Sequence, residues 1–492
     1  MSVRQRAAAV LVSFGVVATV QAATFIVNKN TDDGSVNTLR WAIQQSNLAG
    51  GANAILIVAR GVIKLNSLLP PIKGPALIKA SGWRGSDYDP PSVALDGSNF
   101  IDTTTVNSCP AETSGFGPNV RSLQKPALAV VDSGGVDISG LEIRNFCIGV
   151  MLLRSHDNHI HHNLIHDTVG AAGILVTGDD GTAAGGATTG KSINNLIEYN
   201  VIYNTGDGME CTRGTSNTTY QYNLMHETRA GVAPYSQGIE CAGSGNTGIS
   251  ILHNKFSGYS DGLQLNAANN VLVIGNTIEN TTYGITASGA GVRIEGNLIT
   301  GNRMGVGPGG NTSEVTITRN RIYDNGEPLL SLPTSAGGTT DPNSPALLGI
   351  DLGLNGVTPN QPAGSCGSAG PNSLQNHPIL SPASTWQDER IALDGALSSC
   401  PNASYAVEFF ANRSLNAAGF AEGEIYLGSI ALTTDATGNA SFHFRAALEK
   451  LLRDRTTQAY FTATATNSAG GTSEFSAALL LTHRHNDDHD DK

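Results

Sequence analysis

Charge is scarce in this chain: Asp, Glu, Lys and Arg make up 14% of its 492 residues, and the balance is acidic, at -12. No basic stripe is present to neutralise phosphates, so a nucleic acid is not expected as a partner. Past the first 22 residues no apolar run approaches the roughly 18 residues that mark a membrane helix, and no membrane span is expected in the mature chain. A phosphate-cradling glycine loop, a zinc-ligand pair and a Ser-His-Asp order are also not found.

What the chain has instead is glycine, at 58 residues, and a short sentence written eight times. Gly140, Asn163, Asn200, Asn223, Asn254, Asn276, Asn297 and Asn320 each close one alternating run and precede another; by subtraction the spacings are 23, 37, 23, 31, 22, 21 and 23. A period near 22 is too short for helical repeats and fits one coil of a β-solenoid. Runs such as Asn194-Asn-Leu-Ile-Glu-Tyr-Asn200 and Val271-Leu-Val-Ile-Gly-Asn276 alternate with period two, which turns their apolar set inward. Stacked coils place the asparagines above one another, where their side chains satisfy turn backbone; the column is structural.

A second register follows each Asn, marked by Gly149, Gly173, Gly208, Gly238, Gly262, Gly284 and Gly305. The outward column two places after the Gly reads Met151, Leu175, Glu210, Glu240, Gln264, Thr286, Gly307, and the column before it reads Ile148, Ala172, Asp207, Gln237, Asp261, Tyr283, Met304. Four carboxylates thus gather on one face of three coils, with rungs about 4.8 Å apart. Glu210 and Glu240 should lie about 5 Å apart, close enough for repulsion to split their pKa values into an acid and a base. The long intervals add loops near 179–191 and 227–236 beside this face, and loops that leave a regular scaffold build its groove.

The candidate catalytic residues are therefore Glu210, Glu240, Asp207 and Asp261, with His226 and Arg229 beside them, and the candidate substrate-binding residues are Lys191, Arg213, Tyr235 and Gln264. Lys255 and Tyr259 are near enough in sequence to assist as base and stacking ring. Two chemistries fit. A carboxylate pair about 5 Å apart has the spacing of a retaining glycosidase, although such residues flank the bond rather than stand side by side. Alternatively Ca²⁺ held by Asp207, Glu210 and Glu240 neutralises a uronate for a lyase. In either case a polysaccharide is the expected partner; the alternatives are a solvated acidic ladder and a non-catalytic adhesion protein.

Around the coils, residues 1–22 read as a secretory leader, with Arg4 and Arg6, an apolar run to Val20 and a small-residue cleavage site, so a secreted or periplasmic protein is expected. Residues 23–124 read as an N-terminal cap, with a short helix from Thr38, and first coils; 125–353 as the regular coils; 354–384 as a Pro/Gly/Asn-rich linker; 385–482 as a β-sandwich; and 483–492 as a His/Asp-rich tail. Of six cysteines in an exported chain, Cys211 and Cys241 face inward one rung apart, within disulfide reach, with a reduced ladder as the other reading; Cys109 with Cys147 and Cys366 with Cys400 are paired only by proximity.

Gly34-Ser-Val-Asn-Thr-Leu-Arg-Trp-Ala-Ile43, the Asn-bearing coils, Gly349-Ile-Asp-Leu-Gly353, Gly370-Pro-Asn-Ser-Leu-Gln-Asn376 and Thr462-Ala-Thr-Ala-Thr-Asn467 leading to Thr472-Ser-Glu-Phe-Ser476 together resemble bacterial secreted right-handed parallel β-helix proteins with an Ig-like C-terminal domain. The resemblance implies an all-β solenoid and a polysaccharide lyase or glycosidase type of activity, while the signatures of polygalacturonases and of periplasmic alginate epimerases are missing.

Overall fold

The computed structural model describes residues 22–80, 83, 90–101, 109, 125–168, 172–179, 190–228, 236–310, 314–326, 348–387, 390–447 and 458–483. Each coil contributes three short strands, and stacking yields three parallel sheets of eleven, ten and eight strands, a right-handed β-helix as expected. The first sheet contains Val136–Ser139, His159–His161 and Leu196–Glu198; the second contains Leu164–His166, Val201–Tyr203 and Leu224–His226. The third is built from β1 (Pro126–Val131), β2 (Ile148–Leu153), β3 (Ala172–Thr177), β4 (Asp207–Thr212), β5 (Gln237–Ala242), β6 (Asp261–Asn266), β7 (Tyr283–Ser288) and β8 (Met304–Pro308). Among the described residues no helix is long and apolar enough to cross a membrane.

The asparagine column forms as its spacing predicts. The backbone N–H and side-chain Nδ2 of each Asn donate to Oδ1 of the Asn one coil on: Asn200 to Asn223 at 3.0 and 3.0 Å, Asn223 to Asn254 at 2.9 and 3.0 Å, Asn297 to Asn320 at 2.9 and 2.9 Å. The glycine column answers a different need, the close approach of the rungs. A Cβ on Gly208 would stand 2.5 Å from the carbonyl oxygen of Gly238, so no other residue fits between coils there.

Cys211 and Cys241 are joined, with Cα atoms 4.5 Å apart, and Cys109–Cys147 and Cys366–Cys400 are joined as well. The buried 211–241 bridge crosses the two rungs that carry Glu210 and Glu240. Its removal by Cys211→Ser with Cys241→Ser is expected to cost about 2–4 kcal/mol of stability, to be read by denaturant unfolding of the doubly substituted chain under oxidising conditions. An unchanged midpoint would show that packing alone holds these rungs.

Both solenoid ends are covered. At the first, α1 (Leu39–Ala49) starts at Thr38, whose hydroxyl accepts from the Trp41 N–H, and buries Leu39, Ala42 and Ile43. At the other lies a sandwich of two antiparallel four-stranded sheets, with Leu393, Val407, Phe409 and Phe461 in its core. It presents acceptors to the last coil: Glu408 accepts from the Arg319 N–H, Glu422 from the Asn325 N–H, Glu474 from the Leu352 N–H. The stretch 354–384, read above as a linker, does more than link. Asn372 is fully buried and bonds both Val315 and Thr472, because the unpaired edge of the last coil needs partners.

Burial pushes the Glu422 carboxyl up to about 8, against the bonds it accepts from Asn325. A carboxyl raised in the folded state contributes stability that is complete below its unfolded value near 4.5 and is lost as pH rises through about 8. Glu422→Gln should remove this dependence, so its Tm relative to the parent should climb between pH 5 and pH 9. A constant difference would mean that Glu422 is ionised in the folded chain.

Candidate active site

The third sheet gathers the carboxylates, because β4, β5 and β6 are neighbouring rungs in strict register. Glu210 pairs with Glu240, Glu240 with Gln264, and Gln237 with Asp261. Asp207, Glu210 and Glu240 bring one carboxylate oxygen each to within 4.8 Å of the others. All are covered: Asp207 keeps 7% of its exposure, Glu210 1%, Glu240 4% and Asp261 2%. The solvated ladder, the alternative weighed above, is therefore not what forms.

Like charges taken out of water raise the pKa of at least one member. Burial, then the charges of Glu240 and Glu210, push the Asp207 carboxyl well above the usual range, and its hydrogen bond with Glu210 acts in the same direction against the Gln237 N–H that it accepts at 2.8 Å. Of the three, Asp207 is the carboxyl whose protonated form this crowding favours. Burial likewise pushes Asp261 up to about 7, opposed by Gln264, whose Nε2 donates to Asp261 at 3.1 Å, and by Thr286.

The two outward columns also build a feature that the sequence reading passed over. Ile148, Met151, Leu153, Ala172 and Leu175 form a separate buried apolar cluster on β2 and β3, one rung before Asp207 and Glu210. An apolar wall beside a carboxylate cluster excludes water and strengthens every charge interaction next to it. Its signal was legible: Met151 and Leu175 stand at outward positions, where a free solenoid face would carry polar residues.

Other expected residues scatter. Gln264 joins the site through Asp261, and Arg213, at the end of β4, pairs with buried Asp179 at 2.6 Å. Lys191 is exposed, and Arg229 and Tyr235 lie outside the described residues. His226 sits on the second sheet, stacked at 5.2 Å on Tyr203 in a ladder that His166 continues. Lys255 is on that sheet too, its ammonium 2.7 Å from Glu279, so it is not the base expected of it. Tyr259 is a fully buried core residue and not a stacking platform, since the coil's interior takes its ring.

Three carboxylates and no nitrogen make a donor set that fits a hard divalent cation, and Asp207, Glu210 and Glu240 would hold Ca²⁺. Such an ion would relieve the crowding of the three carboxylates and would polarise a substrate carboxylate or carbonyl.

A family model described as the right handed beta helix region matches residues 93–238 and 237–344. Over 487 aligned residues the chain is 34% identical to the 3-dehydroshikimate dehydratase of Acinetobacter baylyi, covering 94% of this chain and 95% of that protein. Among solved structures, the alginate lyase of Paenibacillus sp. str. FPU-7 matches 57% of this chain and 94% of its own at 16% identity and a TM-score of 0.32. The catalytic unit of the GH87 α-1,3-glucanase of Streptomyces thermodiastaticus matches 70% and 67% at 12% identity and 0.37. The sequence repeat, the three stacked sheets and the two matches along the chain lead to one conclusion: this protein belongs to the right-handed β-helix family, in company with the Acinetobacter dehydratase.

Proposed function

We propose that the chain is an elimination enzyme, in which Asp207, Glu210 and Glu240 remove water from a small cyclic hydroxy acid of the dehydroshikimate class. The observation that carries this reading is the covered carboxylate cluster, with an acid pushed well above its usual range and two glutamates in reach of one another behind an apolar wall. One glutamate takes a proton from the carbon next to the ring carbonyl. The C–H electrons form the new C=C bond, the adjacent C–O bond breaks, and Asp207 gives its proton to the departing hydroxyl, which leaves as water. The proton held by the glutamate returns to the cluster, and the dehydrated ring enolises to a dihydroxybenzoate. A site with under 10% exposure suits a ligand enclosed on all sides more than a polymer lying in a groove. Arg213, just past the end of β4 and paired with Asp179, is proposed to share its charge with the substrate carboxylate.

Cleavage of a uronate polysaccharide is the second reading. It is favoured by the continuation of the same columns into half-exposed Gln264, Tyr283 and Thr286, which would line an elongated ligand. The chemistry is the same with a sugar in place of water as leaving group. A panel of 3-dehydroshikimate, neutral polysaccharides and uronate polysaccharides separates the two, followed by aromatic product, unsaturated ends and reducing ends, with and without chelator. Aromatic product from the small acid alone is expected; unsaturated or reducing ends from a polymer would replace the proposal with the second reading.

Export is part of the proposal. The leader read at 1–22 has its first 21 residues outside the described ones, and the three disulfides suit an oxidising compartment.

A further inference from the structure

On the first sheet, well away in sequence from the carboxylate rungs, the segment His156-Asp-Asn-His159-Ile-His161-His162 places two imidazoles on one face. Strand alternation sends His159 and His161 to the same side, where their rings lie 4.0 Å apart, and parallel pairing sets His159 beside Asp137 of the preceding coil and His161 beside Glu198 of the next. Asp137 Oδ2 is 3.4 Å from His159 Nδ1 and 3.3 Å from His161 Nε2, and the three donors all lie within 4.8 Å of one another.

These separations have a chemical meaning. Ligands bound to a tetrahedral Zn²⁺ at about 2.0–2.1 Å stand roughly 3.3–3.4 Å apart along each edge, which is what the aspartate makes with both histidines. The outer nitrogens are also prepared. His159 Nε2 lies 2.9 Å from Glu198 Oε1, while Gln221 donates to the other oxygen of Glu198 at 2.6 Å; His161 Nδ1 lies 2.8 Å from His162 Nδ1. In the tautomer that gives Nε2–H of His159 to Glu198, Nδ1 keeps a lone pair on the side of Asp137, the carboxylate–histidine–metal arrangement, and a rotation of the stacked rings about their Cβ–Cγ bonds brings both lone pairs onto one ion.

We infer that Asp137, His159 and His161 form a zinc site on the outer face of the first sheet, with Glu198 and His162 as positioning residues and an open position toward solvent. Two imidazole nitrogens select Zn²⁺ over Ca²⁺ and Mg²⁺. The ion joins two successive coils directly and a third through Glu198, so it acts as a clip along the stack, independent of the chemistry proposed for the third sheet. His159-Ile-His161 is a local pair, but its third donor, Asp137, arrives by coil stacking and not by spacing along the chain.

The test is thermal unfolding of the chelator-stripped full chain with added ZnCl₂, in the parent and in His159→Ala, His161→Ala and Glu240→Gln. At zinc about 100-fold above Kd, a rise of roughly 3–6 °C is expected in the parent and in Glu240→Gln, and almost none in either histidine variant. Four-coordinate Co²⁺ in the parent should show intense visible bands that both histidine variants lose. No rise in the parent, an equal rise in the histidine variants, which would place the ion at the His-bearing end 483–492, or loss of the rise in Glu240→Gln would each overturn the assignment.

Discussion

Glu240→Gln is expected to lower kcat for the dehydration about 10²–10⁴-fold, the range by which a positioned acid or base accelerates such a step. Glutamine keeps the volume and shape of a side chain with 4% exposure, so the rungs should stack as before and the melting curve should stay within a degree or two, or rise, since a like charge is removed from beside Asp207 and Glu210. Glu210→Gln should behave in the same way. Asp207→Asn should also lower kcat, because the amide takes the place of the proton donor. Steady-state rates paired with circular dichroism separate the outcomes. Full activity in both glutamine variants would show the cluster to be scaffold, and lost activity with lost folding would leave Asp207→Asn as the deciding variant.

Asn223→Ala carries the largest expected effect on stability, a loss of about 3–5 kcal/mol from several stranded buried groups at about 1–3 kcal/mol each. Asn223 Oδ1 accepts from the backbone and side chain of Asn200; its Nδ2 serves the Ile197 and Gln221 carbonyls and Asn254. Alanine leaves all of these unpartnered inside the stack, where Asn223 itself keeps 2% exposure. Asn320, last in the column among the described residues, accepts from Asn297 and gives its Nδ2 to the Ile294 carbonyl, so Asn320→Ala should cost less. Urea unfolding of both variants measures the contrast. A loss below about 1 kcal/mol at Asn223 would mean that apolar packing of the coil, and not its amide column, sets the stability.

The solenoid was legible because each coil repeats one physical requirement: an inward apolar residue two places after the Asn, an amide at the corner, a Gly where rungs touch. Repetition turns a weak local signal into a strong one. The third-sheet carboxylates were legible for the same reason, since columns in register can be read from spacing alone, and Glu210 with Glu240 followed from counting. Burial was not legible. Nothing in the residues Glu210 and Glu240 says that their face is covered, and the clue lay in the neighbours Met151 and Leu175. Residues assigned by nearness in sequence fared worst: Lys255 and His226 follow the correct coils but stand on the adjacent sheet, because a coil turns through three faces in about 22 residues. The cap carboxylates Glu408, Glu422 and Glu474 were out of reach, since they meet the solenoid across about 90 to 120 residues of chain.

Departure of water from a small ring acid at the Asp207–Glu210–Glu240 cluster is the step on which the proposed activity turns. The most direct measurement is proton NMR of 3-dehydroshikimate incubated with the purified chain, beside a control with Glu240→Gln. With the parent chain the ring resonances of the substrate should give way to the aromatic resonances of a dihydroxybenzoate, and with the variant they should persist. An unchanged spectrum with the parent, or the same conversion with Glu240→Gln, would contradict the proposed activity.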